Sequence, residues 1–338
     1  MIDFRSDTVT KPTKAMKEAM AQAVVGDDVY EDDPTIKELE TLAATITGKE
    51  AALFVPSGTM GNQIAIMTHT KRGDEIIVGA NSHIKNYEVG AAAVLASVSY
   101  HLVNETHGFL DIEGVKKGVR TDDIHYPETG LICIENAHGS GVVGSLESME
   151  ELYTFAKNKN IPIHCDGARI FNAATHLNVD IRTLTQYTDS LMFCLSKGLA
   201  SPIGSMLVGS QSFIKKARKN RKLLGGGMRQ VGVLGAAGLI SLNVMRKRLK
   251  EDHDNAMFLA HALDEIDGFE VDWNKRDINM VFVKPALNKE YLHEKMKESG
   301  FLLGGYKGDY LRLVTHNDIT RLDIESFIKT LKEVIKTN

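Results

Sequence analysis

Ile163-His164-Cys165-Asp166-Gly167-Ala168-Arg169 and, further on, Phe193-Cys194-Leu195-Ser196-Lys197-Gly198-Leu199 decide how this chain is read. Each is an apolar run that ends on a polar group, an aspartate in the first and a lysine in the second. Short apolar runs of this kind are buried strands of an open α/β sheet, where ligands bind at the carboxyl ends of strands. A lone lysine after a strand is ordinarily a loop residue, and a lone aspartate ordinarily a cap or turn. Their joint placement on two successive strand ends points further. Lys197 can form a Schiff base with pyridoxal 5′-phosphate (PLP), and Asp166 can hold the pyridine nitrogen protonated.

Outward from these runs, strand-like and helix-like segments alternate between about residues 34 and 240. The expected strands are Ala51–Val55, Glu75–Val78, Leu131–Glu135, Ile161–Asp166, Ser190–Leu195 and Ser205–Val208. Helical spacing lies between them, as at Leu146, Met149, Leu152, Tyr153 and Ala156. The alternation predicts an α/β fold with a mostly parallel central sheet covered by helices. After a long helical stretch around Val231–His261 the pattern changes to short strands (Phe269–Trp273, Asn279–Val283, Tyr310–Val314) and helices (Lys289–Ser299, Thr320–Lys336). The expected division is a large α/β domain over 1–245, with a polar, turn-rich arm over 1–30, and a small α+β domain over 246–338.

Other segments carry polar groups suited to chemistry. Pro56-Ser57-Gly58-Thr59-Met60-Gly61-Asn62 runs from a strand into a helix, where free backbone N–H groups and two hydroxyls make an anion cradle. Ser57 and Thr59 are equally good as plain N-caps. Arg169 suits an anionic substrate, a cofactor ring oxygen or an ion pair. Arg312, on a strand in Leu311-Arg312-Leu313, has the fork that a carboxylate clamp needs. Arg229 ends a glycine-rich turn, Gly225-Gly226-Gly227-Met228-Arg229. His83 and His125 stand in polar, turn-like surroundings. Gly139-Ser140-Gly141-Val142-Val143-Gly144 fits G-x-G-x-x-G and raises a nicotinamide-dependent dehydrogenase as the alternative. Three residues separate it from its strand, however, and the helix is expected only after the third glycine.

Composition sets outer bounds. The 338 residues are 43% hydrophobic and 25% charged, the balance of a soluble globular protein long enough for two domains. A formal charge of −4 gives no basis for nucleic-acid or membrane partners. The basic run Lys215, Lys216, Arg218, Lys219, Arg221 and Lys222 reads as a solvated helix face. Three cysteines, all in apolar runs, read as packed thiols of a cytoplasmic protein, and no signal core opens the sequence. The 12 histidines show no metal-ligand spacing, so no catalytic metal is expected.

Together these stretches resemble the low-specificity L-threonine aldolases, PLP enzymes of the aspartate-aminotransferase fold type (fold type I). The matching segments are Asp3–Pro12, Val25–Tyr30, Pro56–Asn62, His164–Ala173, Cys194–Leu199, Leu224–Gln230, Glu251–Asn255 and Arg312–His316. The resemblance implies retro-aldol cleavage of L-threonine and L-allo-threonine to glycine and acetaldehyde, serving threonine catabolism and glycine formation. It implies Lys197 as the Schiff-base lysine, Asp166 as the pyridinium partner and His83 stacked on the ring. Gly58, Thr59 and Arg229 are implied to bind the phosphate, with Lys222 reaching in from a neighbouring subunit. Ser6, Arg169 and Arg312 are implied to hold the substrate carboxylate. His125 is implied near the β-hydroxyl and Tyr30 in the pocket wall. A homotetramer built as a dimer of dimers with shared active sites is implied too. A racemase, a β-eliminating lyase or a PLP-binding regulatory module on the same fold would use nearly the same residues. The chain departs from the family pattern at Glu31, at Glu135-Asn136-Ala137-His138-Gly139 and at Gly90-Ala91.

Overall fold

The computed structural model of the protein describes residues 1–336. A seven-stranded sheet forms its centre, in the order Ala51–Val55, Ser205–Gly209, Ser190–Cys194, Ile163–Asp166, Thr129–Glu135, Glu75–Gly79 and Ser99–Val103. Only Ser205–Gly209 runs against its neighbours; the rest of the ladder is parallel. Six of the strands lie where the apolar runs predict, with ends moved by no more than two residues at most termini. The expected start at Ile161 moves to Ile163, because Pro162 has no N–H to give a ladder.

Ser99–Val103 is a strand that the apolar pattern does not announce. It lies at the sheet edge with Ser99 and Leu102 exposed, so nothing there demands a continuous apolar run. Inside the sheet every residue of Glu75–Gly79, Ser190–Cys194 and Ser205–Gly209 is buried.

Helices cover both faces. Pro34–Thr47 shows why they begin and end where they do. Asp33 caps it by accepting from the Ile36 N–H at 2.9 Å, Pro34 occupies the first turn, and Gly48 closes it in the left-handed region at φ 67°. Its inner face buries Ile36, Leu39 and Ala43, and each large aliphatic side chain taken from water contributes about 1.5–3 kcal/mol.

The stretch expected as one long helix is two, Gly232–Asn243 and Leu249–Asp264, joined by a tight turn over Met245–Arg248. A second, four-stranded antiparallel sheet follows, ordered Phe269–Val271, Met280–Pro285, Tyr310–Val314, Tyr306–Lys307. Its middle strand is shared between two cores. Met280 and Phe282 pack into the core of the large sheet, while Val281 and Val283 pack into a second core with Leu292, Phe327 and Leu331. A strand's two-residue period puts alternate side chains on opposite faces.

Residues 2–7 are not a loose arm. Ile2–Asp3 pairs in parallel with Phe301–Leu302, Phe4 packs against Phe327 and Phe301 in the second core, and Lys14–Ala21 is helical. Cys133, Cys165 and Cys194 are buried and unpaired. No helix among the described residues is long and apolar enough to cross a membrane.

Candidate active site

A cavity of about 670 Å³ opens at the carboxyl edge of the large sheet, beneath the Tyr306–Arg312 part of the second sheet. Lys197, Asp166, Ser57, Gly58, Thr59, His83, Arg169, Ser6 and Arg312 all line it. Nine residues singled out in the sequence, spread over some 300 positions, thus face one space.

Its floor is set by the two strands read first. Asp166 closes Ile163–Asp166 and is buried. Its Oδ2 accepts from the Asn62 amide at 2.8 Å and its Oδ1 from the Ala168 N–H at 3.1 Å. Lys197 stands three residues beyond the neighbouring strand, in a turn fixed by Leu195 N–H to Gly204 O at 3.0 Å and Ala200 N–H to Lys197 O at 2.8 Å.

Above Asp166 lies His83, which opens a short helical turn and is positioned by its backbone N–H on Glu135 at 2.8 Å. Its Nδ1 contacts Glu88 at 2.9 Å and lies 4.0 Å from Asp166. The Glu88 hydrogen bond raises the His83 pKa, against the opposing effect of burial and with help from Asp166. Glu88 is buried and also accepts from Asn62 at 2.9 Å and from Gln63 at 2.6 Å. His83, Glu88 and Asp166 bring ligand atoms within 4.8 Å of one another, but these hydrogen bonds already occupy them.

The anion cradle is present. Ser57 caps Gly58–His69 by accepting from the Met60 N–H at 3.2 Å and also lines the cavity, while the Gly58 and Thr59 N–H groups have no intrahelical acceptor and suit an anion. Gly58 lets this turn sit against the sheet: a Cβ there would lie 3.1 Å from Cys194 Sγ.

The arginines divide. Arg169 is forked onto Asp7, Nε to Oδ2 at 2.8 Å and Nη2 to Oδ1 at 2.6 Å, both partners being buried. Burial works to raise the Asp7 carboxyl, but Arg169 outweighs it and holds the pKa down to about 2. Removing either partner would strand a buried charge, at about 3–5 kcal/mol. Arg312 has no such acid; among the described residues it reaches only the Arg5 carbonyl, at 3.3 Å. Burial and the nearby Arg169 lower its pKa, so its charge is held at a cost that an incoming carboxylate relieves. Ser6, the cap of the Asp7–Val9 turn, stands beside this pair.

Four residues lie outside the cavity. His125 is on an exposed loop, bound to Asp123 at 2.7 Å with 77% of its side chain in solvent. Tyr30 is exposed, and Arg229 is paired with Asp27 at 2.6 Å. Lys222 lines a separate cleft of about 990 Å³ together with Glu31 and Arg218. Glu31 holds left-handed backbone, φ 57°, and lies 3.6 Å from Arg218. The basic run is only partly a solvated face. Arg221 is buried against Asp28, and Arg218 pairs with Glu40 at 2.7 Å.

The Gly139–Gly144 motif is no dinucleotide site. The following helix, Leu146–Asn158, begins after it at the Ser145 cap. A Cβ on Gly144 would lie 2.5 Å from Phe109, and one on Gly141 3.0 Å from Phe282. The glycines are there for packing.

Several groups of the site escaped the sequence reading. Asn62 and Asp7 stand in the stretches given above without any motif of their own, and Glu88 follows His83 by five residues. For Asp7 the sequence carried no local signal, since its partner Arg169 lies 162 residues away. Lys307, on the hairpin over the cavity, donates to the Gly139 carbonyl at 3.2 Å.

Comparison with known proteins gives the chain's family. The beta-eliminating lyase family model matches residues 3–286. The low specificity L-threonine aldolase of Escherichia coli K12 is 45% identical over 323 residues, 95% of each chain. The chain belongs to the low-specificity L-threonine aldolase family. A relative from Arabidopsis thaliana, low-specificity L-threonine aldolase 1, is 43% identical over 99% of this chain and 97% of its own. The solved Leishmania major threonine aldolase shares the fold with a TM-score of 0.85 at 19% identity, covering 99% of this chain and 100% of that one. The fold is that of the aspartate-aminotransferase type, and the protein is a lyase by family.

Proposed function

We propose that this protein cleaves the Cα–Cβ bond of L-threonine and L-allo-threonine to glycine and acetaldehyde, with PLP held on Lys197. The observation that carries the reading is the convergence of Lys197, Asp166 and the acid-free Arg312 on one cavity, in a chain of this family. Bound there, PLP would supply an electron sink for the electrons released at the substrate's Cα. Asp166, fixed by Asn62 and Ala168, holds a proton on the ring nitrogen. The Gly58–Thr59 turn takes the phosphate. Arg312 forks onto the α-carboxylate, as its missing acid partner suggests. Arg169, engaged by Asp7, orients this wall and offers its remaining N–H to the substrate or a ring oxygen. His83 has Nδ1 committed to Glu88, which leaves Nε2 as the base for the β-hydroxyl proton, and its raised pKa strengthens that base.

The rest of the reading goes with a cytoplasmic homotetramer that breaks down threonine and forms glycine. Lys222, Arg229 and Tyr30, all outside the cavity of their own chain, complete a neighbour's phosphate site and pocket wall, and His125 joins the β-hydroxyl side from its loop. The division into a large domain over 1–245 and a small one over 246–338 lets the Arg312 sheet close on the cofactor.

The test is acetaldehyde release by the purified protein from L-threonine and L-allo-threonine, with borohydride reduction to trap the cofactor. The pyridoxyl mass is expected on Lys197, and Lys197→Ala is expected to lose both turnover and trapping. Label on another lysine, or pyruvate or D-alanine in place of acetaldehyde, would overturn the reading.

A further inference from the structure

Behind Asp166 and Asn62 runs a chain of buried and half-buried side chains, His164, Ser190 and His69, that the chemistry above does not use. The Asn62 amide nitrogen lies 2.8 Å from Asp166 Oδ2, and the Asn62 oxygen lies 3.0 Å from His164 Nε2. His164 Nδ1 lies 2.9 Å from Ser190 Oγ, which lies 2.8 Å from His69 Nε2. Two periodicities assemble it. His164 and Asp166 are two apart on one strand and share a face; Asn62 and His69 are seven apart on the Gly58–His69 helix and share another. Ser190 is the residue paired with His164 on the adjacent strand.

The direction of every hydrogen bond in this chain is forced, one after another. Asp166 and Glu88 are acceptors, so the Asn62 NH2 must face them and its oxygen must face His164. Nε2 of His164 therefore carries the proton. Burial and the neighbouring His69 push the His164 pKa down to about 3, so the ring is neutral and Nδ1 has to accept. Only the Ser190 hydroxyl can give it a proton. That oxygen then accepts from His69, whose ring is stacked on Phe213 at 4.6 Å.

We infer that His164 is a positioning residue for the ring-nitrogen site. With Ser190 and His69 it fixes the Asn62 amide with its N–H toward Asp166, so that the carboxylate is held in place with a donor behind it. This inference rests on the proposed cofactor. Without His164 the Asn62 oxygen loses its donor, and the amide behind Asp166 is held from one side only, through Glu88 and Asp166. Aligned hydrogen bonds also polarise one another in a dry interior. The competing account, a histidine that merely fills space in the core, predicts that shape alone matters.

Two substitutions separate the accounts. His164→Phe keeps a planar ring and loses the donor. His164→Gln loses the ring but places an N–H near the former Nε2. The readout is the ratio of dissociation constants for PLP and its 1-deaza analogue, in which C–H replaces the ring nitrogen. Both compounds can engage Lys197, so a packing defect weakens them alike. His164→Phe is expected to shrink the preference for PLP about tenfold, and His164→Gln to keep it within about twofold of the parent. An unchanged ratio in the Phe variant, or Phe outperforming Gln, would overturn the inference. Should the Phe variant fail to fold, Ser190→Ala, which removes a single hydroxyl, is expected to shrink the ratio in the same direction, and no change there counts against the chain. Nitrogen NMR of the cofactor-free protein gives an independent reading: Nε2 of His164 protonated and Nδ1 bare between about pH 6 and 8. The opposite tautomer would refute the forced direction. Failure to trap PLP on Lys197 in the parent protein would instead defeat the proposed function, and would show before any variant is compared.

Discussion

Around Asp166 the polar side chains hold one another: Asn62, Glu88, His83 and His164 are fixed by hydrogen bonds from their own chain. Around Lys222 and Arg229 the arrangement is the reverse. Arg229 and Tyr30 are exposed, and Lys222 stands on an open cleft. One region is finished within a single chain, and the other presents cations and an aromatic ring outward. Preorganised dipoles are worth most where water is excluded and they need not move. That condition is met around Asp166, where the proposed function requires negative charge to be in place before substrate arrives. At the open face, contacts can be supplied on assembly.

The largest effect expected from breaking this contrast is at the finished end. Asp166→Asn keeps shape but cannot support a positive ring nitrogen, and kcat should fall about a hundred- to a thousandfold with little loss of PLP. A near-normal kcat would remove Asp166 from its place in the comparison. Next is Arg312→Lys. A single ammonium cannot copy a two-pronged fork, so kcat/KM for L-threonine should drop about ten- to a hundredfold at normal cofactor content. An unchanged value would make Arg312 only a strand residue.

The open face is tested by mixing inactive subunits. If Lys222 serves a neighbour's site, Lys197→Ala and Lys222→Ala chains should complement, because a hybrid dimer has one intact site. Random exchange would restore roughly a quarter of parental activity in a two-fold dimer. No recovery after demonstrated exchange would mean that the face has some other use.

The remaining effect is on stability rather than on turnover. Burial pushes the pKa of His164 down to about 3 and that of His69 to about 4, from 6.5. The unfolded chain therefore binds more protons than the folded one between those values. Stability should fall as pH drops from about 6.5 toward 4, by up to about 1.4 kcal/mol per pH unit for each histidine. Urea unfolding at several pH values checks this, and His69→Phe should flatten the slope by keeping the Phe213 stack without the titrating ring. A slope indifferent to that substitution would show that His69 is not held neutral.

The same contrast explains what the sequence disclosed. Strands buried on both faces must be largely apolar, so Ile163–Asp166 and Ser190–Cys194 announced themselves, and with them the positions of Asp166 and Lys197. Ser99–Val103 did not, because a partly exposed edge strand has no such obligation. Asn62, Glu88 and Asp7 were invisible for another reason. Apart from the His83–Glu88 contact, their value lies in partners 25 to 162 residues away, and no local spacing encodes a contact of that range. The Arg169 fork onto Asp7 is the clearest instance. From sequence it was an arginine beside a strand end with three possible uses, and only the acid folded against it selects among them.

The pairing of Ile2–Asp3 with Phe301–Leu302 also has a consequence in time. During synthesis, residues 2–7 leave the ribosome some 300 positions before the strand that receives them. Until then Phe4 lacks its aromatic neighbours, and Ser6 and Asp7 are not anchored beside Arg169 and Arg312. The seven-stranded sheet has all of its residues once position 209 has emerged, so the floor of the cavity can form well before its far wall. The nascent chain would then pass through a stage in which the lysine and the aspartate are in place but the carboxylate clamp is not. Cofactor capture and substrate recognition would arise in that order, set by the direction in which the chain is made.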